Sequence, residues 1–268
     1  HYIVYPWIGC GHCAVCAAGH DNYCLAPRFL GIMKPGAYST HMIVPDAKYL
    51  IEADGVDPSF AATLACSGLT TFSAIKKFPT LGASDWVLVL GCGGLGLVAI
   101  AIMRATGVGT GGIGNIIACD IDADKLAQAR KQGATATIDT RDADAAAQIQ
   151  KISGGNVAAA IDLVGMPATA TLGIAALRKG GRFVLCGLFG GEITLSLPPI
   201  AQRAIGVVGS YVGNVQELKE LVALAKTGKL APTPVTTRPA DQVNQALDDL
   251  RAGRVLGRVV LDFETVAD

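Results

Sequence analysis

A short apolar segment followed by a cluster of glycines restricts the fold of this chain more than any other feature. Residues 86–90 (WVLVL) are continuously hydrophobic, which predicts a strand buried on both faces in a parallel sheet. Residues 91–96 (GCGGLG) follow at once and fit G-x-G-x-x-G, and residues 95–105 predict an apolar helix. Such glycines permit a tight turn and let a pyrophosphate reach the N–H groups of a helix N-terminus. The segment therefore predicts a dinucleotide-binding strand–turn–helix unit.

An acidic residue at the end of the next strand indicates which dinucleotide binds. Residues 116–119 predict the second strand, and Asp120 follows at a spacing slightly longer than usual, which we attribute to an extended glycine-rich loop over residues 107–114. A carboxylate there can accept hydrogen bonds from both hydroxyls of an adenosine ribose and would repel a 2′-phosphate, so NAD is favoured over NADP. The alternative is a glycine turn of another α/β protein, in which Asp120 is merely solvated.

Strands and helices alternate through the middle of the chain, which predicts a doubly wound α/β sheet. The segments before and after this middle differ from it: a start of short extended pieces, such as residues 38–45, and a mixed tail that follows Gly213. They could form one discontinuous domain around the α/β middle. The further elements that the pattern predicts are helices at 122–132, 168–177, 215–226 and 241–251, and strands at 158–164, 182–188 and 258–263.

Composition argues against two classes of partner. The 22 basic and 22 acidic residues give a net charge of zero, so no electrostatic attraction to nucleic acid or to an anionic membrane is expected. Residues 86–103 are the longest uncharged run, but the glycines in its middle predict a strand, a turn and a helix rather than a membrane span. We see no signal peptide, and we expect a cytoplasmic protein.

Four cysteines near the start of the chain predict a metal site. Cys10, Cys13, Cys16 and Cys24 place four thiolates within one short segment, which suits a closed tetrahedral zinc site with a structural role. Disulfides are disfavoured in a reducing compartment, and a nucleic-acid zinc finger would show separated pairs and a basic face. An iron–sulfur cluster is the remaining alternative, although three residues would then separate its third and fourth cysteines, whereas seven separate Cys16 from Cys24.

The order of these motifs resembles the medium-chain zinc alcohol dehydrogenases. The cysteine cluster, the segment LACSGLTTF at 64–72, the glycine turn and Asp120 follow one another as they do in that family, and the resemblance covers essentially the whole chain. It implies an α/β protein in which a Rossmann doubly wound parallel sheet binds NAD, over residues 68–212. It also implies a discontinuous, mainly β GroES-like catalytic domain over residues 1–67 and 213–268, incomplete at its beginning.

The resemblance also assigns roles to individual residues, several of which would otherwise pass for core or solvated side chains. Cys66 matches a ligand of a catalytic zinc, and Thr70 matches a residue that lies against the nicotinamide. Leu188 and Trp7 are candidates for the substrate pocket. The coenzyme contacts that the resemblance implies are Gly91, Gly93, Gly94, Leu95, Gly96, Asp120, Lys125, Val164, Gly165, Cys186, Gly187, Leu188, Ser210, Tyr211 and Arg258.

The implied activity is reversible hydride transfer between an alcohol and NAD, giving an aldehyde or ketone. In the family, a Cys and a His that complete the catalytic zinc site precede the cysteine cluster, so neither can be named in a chain that begins at His1. The alternatives are a polyol or sugar dehydrogenase of the same family and a non-catalytic NAD-binding homologue. The family also implies a homodimer or homotetramer, assembled through an edge strand at about residues 205–212.

Overall fold

The computed structural model describes residues 1–107 and 115–263, so the glycine-rich loop expected at 107–114 lies almost wholly outside the described residues. The chain divides into two compact units, one formed by residues 1–70 and 211–268 and the other by residues 71–210. The sequence places these boundaries after residues 67 and 212, a few residues from the observed division. No helix in the described ranges is long and apolar enough to cross a bilayer.

The first unit begins with short elements. The antiparallel strands β1 and β2 pair with Ile3 opposite Ile51, and both of these side chains are buried. The sequence predicts that residues 38–45 are extended, but they form no strand; the chain bends at residues 37–40, where the Ser39 hydroxyl bonds to the carbonyls of Gly36 and His41. The elements of this stretch are β1 (Tyr2–Val4), α1 (Ala14–Ala17), β2 (Leu50–Glu52), α2 (Pro58–Thr63) and α3 (Leu69–Ile75).

A wider, π-helical turn (Leu64–Gly68) joins α2 to α3. The start of helix α2 is fixed by local signals, since the Asp57 side chain accepts a hydrogen bond from the Phe60 N–H at 2.9 Å and Pro58 occupies the first turn. The Ser67 hydroxyl then bonds back to the Thr63 carbonyl at 2.8 Å, a contact that competes with regular helical bonding. Turns of this kind are frequent at functional sites, and this one carries Cys66.

The second unit is built on a six-stranded parallel sheet of order β5-β4-β3-β6-β7-β8. This is the order of a doubly wound dinucleotide-binding fold, in which the strands up to β5 are added on one side of β3 and the strands from β6 onward on its other side. Leu90 lies opposite Cys119 on one side and Asp162 on the other, so the carboxyl ends of the strands meet along one edge. The strands are β3 (Trp86–Leu90), β4 (Ile116–Asp120), β5 (Ala136–Asp139), β6 (Val157–Asp162), β7 (Leu177–Leu185) and β8 (Gly206–Gly209).

Helices cover this sheet because its strands are apolar on both faces. Val87 to Leu90 and the middle of α4 are fully buried, as the continuous hydrophobic run predicts. Helix α5 is delimited by local signals: the Asp122 side chain accepts hydrogen bonds from the first turn, and Gly133 adopts the left-handed conformation that ends it. The helices are α4 (Gly94–Thr106), α5 (Ala123–Gln132), α6 (Ala145–Ser153), α7 (Pro167–Ala176) and α8 (Leu197–Arg203).

Two strands end earlier than their sequences predict. Strand β6 ends at Asp162 rather than at residue 164, because the Asp162 carboxylate, and not a neighbouring strand, accepts the N–H groups of Val164 and Gly165. Strand β7 ends at Leu185 rather than at residue 188, because the N–H groups of Cys186 and Gly187 both donate to the Asp162 carbonyl. The residues beyond both strands therefore form loops at the carboxyl edge of the sheet.

The chain then returns to the first unit. Helix α9 (Val215–Lys226) matches its predicted bounds, because Asn214 and Glu217 exchange side-chain-to-backbone hydrogen bonds of 2.9 Å at its start. Its buried leucines pack against the π-helical turn. Strands β9 (Val235–Pro239) and β10 (Arg258–Asp262) form a parallel pair, and α10 (Val243–Arg251) connects them. Strand β9 was not anticipated, since its five residues alternate only weakly.

Candidate coenzyme and metal sites

Of the four glycines in the turn after β3, two are required by close contacts and a third, Gly93, is not. Gly91 adopts a φ of +93°, and a Cβ there would lie 2.7 Å from Cγ2 of Val164. A Cβ on Gly96 would overlap with the carbonyl oxygen of Gly91. Gly93, at the start of α4, has an ordinary φ of −70°, and a Cβ there would meet nothing within 4 Å. Open space beside the N–H groups of a helix N-terminus is where an anion can approach the backbone.

Asp120 is tied to the turn more closely than the sequence suggests. One carboxylate oxygen accepts the Cys92 N–H at 2.7 Å, and the other accepts the N–H groups of Ile121 at 2.8 Å and Asp122 at 3.0 Å. A carboxylate has about four lone-pair sites, so about one remains for a ribose hydroxyl. Lys125 faces Asp122 instead, with Nζ 4.0 Å from Oδ2. Asp120 therefore both shapes the glycine turn and keeps some capacity for a ligand.

The loops after β6 and β7 approach each other closely at the same edge. A Cβ on Gly165 would overlap with the backbone of Gly187, and a Cβ on Gly187 would overlap with the backbone of Val164. The Phe189 N–H donates to the Val164 carbonyl at 3.2 Å, which joins the two loops further. Leu188 is 84% exposed and projects from this edge.

Next to these loops lies a small polar group around Ser210. Lys77 donates from Nζ to the Ser210 hydroxyl at 3.1 Å, and the Ser210 N–H donates to the Leu185 carbonyl at 2.8 Å. Burial raises the pKa of the Cys186 thiol to about 12, against a smaller opposing effect of a hydrogen bond with Ser210. Cys186 is therefore a neutral thiol near pH 7 and does not serve as a nucleophile there.

The four clustered cysteines come together as a metal site requires. Their Sγ atoms all lie within 4.8 Å of one another, with separations of 3.9 Å for Cys10–Cys16, 3.5 Å for Cys13–Cys16 and 3.9 Å for Cys13–Cys24. Four sulfurs around a zinc ion at ~2.3 Å would be separated by ~3.8 Å in a regular tetrahedron. The donor set and its spacing therefore fit a closed zinc site.

Backbone groups around this cluster are placed to support thiolates. The N–H groups of Cys10 and Ala26 donate to Cys24 Sγ at 3.3 and 3.4 Å. Hydrogen bonds from the backbone of His12 and Cys13 lower the pKa of Cys10 to about 6, whereas burial raises that of Cys16 to about 12. Without a cation the cluster would hold a mixture of thiolate and thiol, and a bound metal would favour four thiolates.

A buried network of two tyrosines and an aspartate holds the segment that carries the four cysteines. Asp21 is 5% exposed, and its Oδ1 accepts hydrogen bonds from the Tyr49 hydroxyl at 2.8 Å and the Gly9 N–H at 3.3 Å. Tyr5 stacks on Tyr49 and donates to the Gly213 carbonyl at 2.9 Å. A Cβ on Gly9 would collide with Cys16 Sγ, so the glycine is required beside the sulfurs.

Cys66 opens onto a cavity of about 250 Å³ within the first unit, lined mainly by aliphatic side chains of α10 and β10 together with Tyr38 and Arg258. Although the thiol is open to this cavity, the surrounding atoms remove much of its hydration, and this burial raises its pKa against the smaller opposing effects of Arg258 and a hydrogen bond with Thr70. Burial also lowers the pKa of Arg258. Among the described residues, Cys66 belongs to no group of three or more metal-ligating side chains.

Two other candidate residues belong to an aromatic cluster of the first unit. Trp7 packs edge-on against Phe29 and Tyr211, with ring centroids 5.4 and 6.1 Å away, and donates from Nε1 to the Ala65 carbonyl at 3.2 Å. Asn22 donates to the Tyr211 carbonyl at 3.0 Å. Trp7 and Tyr211 are not among the residues that line the cavity at Cys66. Their assignments to substrate and coenzyme remain predictions.

One residue of this edge escaped the sequence analysis. Asp162 is fully buried at the end of β6, where its carboxylate holds the loop that follows. The available signal was a single acidic residue that ends the otherwise apolar run at 157–162. Because the predicted strand continues to residue 164, Asp162 passes for an ordinary strand position in the sequence.

Comparisons with known proteins agree with these arrangements. An NAD-dependent alcohol dehydrogenase of Saccharolobus solfataricus is 36% identical over 96% of this chain and 73% of its own length. The crystal structure of an alcohol dehydrogenase from Aeropyrum pernix superposes with a TM-score of 0.86 and 32% identity, over 97% of this chain and 75% of that one. A D-arabinose dehydrogenase structure from Sulfolobus solfataricus gives a TM-score of 0.80 and 27% identity, over 90% of this chain and 73% of that one.

Two protein families match successive parts of the sequence. Residues 2–54 match the alcohol dehydrogenase GroES-like domain, and residues 94–227, half of the chain, match the zinc-binding dehydrogenases. The first match covers the cysteine cluster, and the second begins in the glycine turn and includes most of the parallel sheet. The chain therefore belongs to the zinc-binding dehydrogenase family and carries the GroES-like domain of alcohol dehydrogenases.

Proposed function

We propose that this protein is an NAD-dependent alcohol dehydrogenase that transfers a hydride reversibly between an alcohol and NAD, giving an aldehyde or ketone. The observation that carries the proposal is the open glycine turn at the point where the strand order reverses, between β3 and β6. Ligands of doubly wound sheets bind in the crevice outside the carboxyl ends of the strands at that point. The turn between β3 and α4 and the loop after β6 flank this crevice.

Different residues of the second unit would bind different parts of NAD. The N–H groups at the start of α4, from Gly93 to Gly96, would hold the pyrophosphate, with the helix dipole favouring its negative charge. Asp120 and Lys125 would hold the adenosine ribose, and the Asp120 carboxylate would repel the extra phosphate of NADP. NAD supplies the hydride-accepting ring when it is bound.

The remaining coenzyme contacts are proposed on the family resemblance. In the second unit they are the loops at Val164–Gly165 and 186–188, together with Ser210, which lie at the carboxyl edge of the sheet. Thr70, Tyr211 and Arg258 belong to the first unit, and the resemblance alone supports their roles. The same holds for Leu188 and Trp7 as substrate contacts.

The two proposed zinc sites differ in how well the residues fit the metal. The cluster of Cys10, Cys13, Cys16 and Cys24 supplies a complete set of four sulfurs, so zinc there would be structural and would leave no position open for substrate. A catalytic zinc needs three protein ligands, and the described residues form no such group of three around Cys66. We therefore derive no chemical step through a metal at Cys66 and propose only that this thiol supplies one ligand.

The main alternative is a polyol or sugar dehydrogenase, to which the similarity with the D-arabinose dehydrogenase structure lends support. Polyol binding requires several polar groups around the substrate. Leu188 and Phe189 instead present two large exposed apolar side chains at the carboxyl edge of the sheet, which favours a simple alcohol. A non-catalytic NAD-binding homologue is the third candidate, which the presence of Cys66 argues against.

Two further features of the protein are part of the proposal. Strand β8 is the last strand of the described sheet and pairs only with β7, so a homodimer or homotetramer could form by pairing β8 with a second copy. All eight cysteines are described as free thiols, and four of them would have to stay reduced to bind zinc, which supports a reducing compartment such as the cytoplasm.

Metal analysis and a substrate panel test the proposed function together. We expect NAD-dependent oxidation of primary or secondary alcohols, and bound zinc at two ions per chain if both sites fill. Zinc at one ion per chain would assign the metal to the four cysteines alone. Iron in its place would overturn the structural zinc site, and binding of NADH without oxidation of any alcohol or polyol would favour the non-catalytic homologue.

A further inference from the structure

A fully buried carboxylate lies beside the point where the strand order of the parallel sheet reverses, between β3 and β6. Asp162 ends β6, opposite Leu90 of β3 and Leu185 of β7, and its exposed fraction is 0%. None of the ion pairs found among the described residues involves Asp162. Burying a carboxylate without its hydration is costly unless hydrogen-bond donors replace the water. The donors that do so identify what Asp162 organises.

Three donors surround the Asp162 carboxylate, and all come from the segment that follows β6. Oδ1 accepts the N–H groups of Val164 and Gly165, each at 2.9 Å, and Oδ2 accepts the Thr169 hydroxyl at 2.8 Å. Thr169 lies in the first turn of α7 and also accepts the Met166 N–H at 3.2 Å. One side chain therefore fixes both the loop after β6 and the start of the helix that follows.

The backbone of the same residue fixes the neighbouring loop. The Asp162 carbonyl accepts the N–H groups of Cys186 and Gly187, both at 2.9 Å. Gly165 and Gly187 then approach so closely that a Cβ on either would overlap with the other loop. Val164 in turn packs against Gly91 of the glycine turn, where a Cβ would lie 2.7 Å from Cγ2. The position of Val164–Gly165 thus determines the spacing of three loops around the crevice.

We infer that Asp162 is a positioning residue for the coenzyme: it touches no reacting atom, and it acts by holding the Val164–Gly165 loop against the glycine turn on one side and the 187–188 loop on the other. The inference rests on the proposed NAD site. Its physical basis is that hydrogen bonds which fix a loop before binding reduce the ordering that binding must impose, and so raise affinity.

The geometry makes a specific prediction for the isosteric amide. In Asp162→Asn the amide oxygen can still accept both loop N–H groups, while the amide nitrogen donates to Thr169, whose hydroxyl can turn to the Met166 carbonyl 3.0 Å away. The loop should then keep its position. In Asp162→Ala both loop N–H groups lose their acceptor, and the loop is free to move.

The experiment measures NADH binding to the whole protein by fluorescence titration, which yields a dissociation constant and a stoichiometry separately. We expect Asp162→Ala to raise the dissociation constant about tenfold, which corresponds to about 1.4 kcal/mol, and Asp162→Asn to leave it within about threefold of wild type. Asp85→Ala is the matched control. Asp85 is also buried, at 8% exposure, but precedes β3 at the opposite edge of the sheet, where it pairs with Arg178.

A purely structural role would give a different result. In that case both alanine variants would lower the melting temperature and the stoichiometry while the dissociation constant stayed at the wild-type value. Hydrogen exchange without coenzyme gives an independent readout: amides at 164–166, and those of Phe189 and Gly190, which donate to the Val164 and Gly165 carbonyls, should lose protection in Asp162→Ala and keep it in Asp85→Ala. Should Asp162→Ala not fold, Thr169→Val keeps both loop N–H groups on Oδ1 but removes the donor to Oδ2 and the acceptor of the Met166 N–H, and we expect it to weaken NADH binding about threefold.

Several outcomes overturn the inference. These are an unchanged dissociation constant in a folded Asp162→Ala, or in Thr169→Val if that variant has to replace it, and an Asp162→Asn variant that binds as weakly as the alanine variant. Wild-type protein that binds no NADH would instead refute the coenzyme site on which the inference rests. In that event the exchange measurement still shows whether Asp162 orders the two loops.

Discussion

Two glycines of the turn after β3 should respond in opposite ways to substitution by alanine. Gly93 has a φ of −70°, which alanine adopts freely, and the added methyl group would meet no atom within 4 Å. At the N-cap position that Gly93 occupies, alanine is less favourable than glycine by about 0.5–1 kcal/mol, and the stiffer unfolded chain offsets a similar amount. Gly93→Ala should therefore change the free energy of unfolding by less than about 0.5 kcal/mol.

The same substitution should weaken NADH binding strongly. The open space at Gly93 is where the pyrophosphate would approach the N–H groups of α4, and a methyl group there would lengthen at least one of these hydrogen bonds. A hydrogen bond to a charged group contributes about 1.5–3 kcal/mol. Since each 1.4 kcal/mol is a tenfold change, the dissociation constant should rise by about ten- to a hundredfold.

Gly96→Ala provides the contrast and Gly82→Ala the control. A Cβ on Gly96 would overlap with the Gly91 carbonyl, so this variant should lose about 1–3 kcal/mol of stability or more. Gly82 precedes β3 at the opposite edge of the sheet, and a Cβ there would make an ordinary contact of 3.7 Å with Asp85. Fluorescence titration with NADH and urea unfolding of the three variants test the reasoning. A folded Gly93→Ala protein that binds NADH as wild type does would refute it.

The cysteine cluster, Asp120 and Asp249 yield the other predictions. Cys13→Ser should remove one zinc ion per chain and lower the melting temperature, measured by elemental analysis and calorimetry, because three sulfurs no longer close the tetrahedron; unchanged metal content would contradict this. Asp120→Gly should raise the KM for NAD and narrow the preference over NADP, and unaltered coenzyme kinetics would count against Asp120. Hydrogen bonds from Arg254 and Arg238 lower the pKa of Asp249 to about 2, so its stabilising effect is complete above pH ~4 and is lost as the pH falls through 2. Urea unfolding between pH 2 and 5 should therefore show a smaller loss for Asp249→Asn than for wild type, and parallel curves would contradict the assignment.

The sequence determined those parts of the protein whose signals are local. The uniform apolar run of β3 predicted a strand buried on both faces, and its bounds are correct because the run is short, rich in valine and followed at once by the glycine turn. Helices α5 and α9 were delimited correctly because their caps, Asp122 with Gly133 and Asn214 with Glu217, act within a few residues of the helix ends. The spacing of the four cysteines likewise predicted a metal site, since these ligands come from one short segment.

Tertiary structure decided what depends on partners distant in the sequence. Strands β6 and β7 end early because the side chain and carbonyl of Asp162 take the N–H groups that a longer strand would have offered to its neighbours. The requirement for glycine at Gly165 and Gly187 comes from the contact between two loops, which neither segment reveals alone. The short strands β5 and β9 and helix α8 escaped prediction because packing against the rest of the fold, rather than their own periodicity, stabilises them. Periodicity and capping act over a few residues, whereas the placement of the Asp162 carboxylate depends on which loops the sheet brings to one edge.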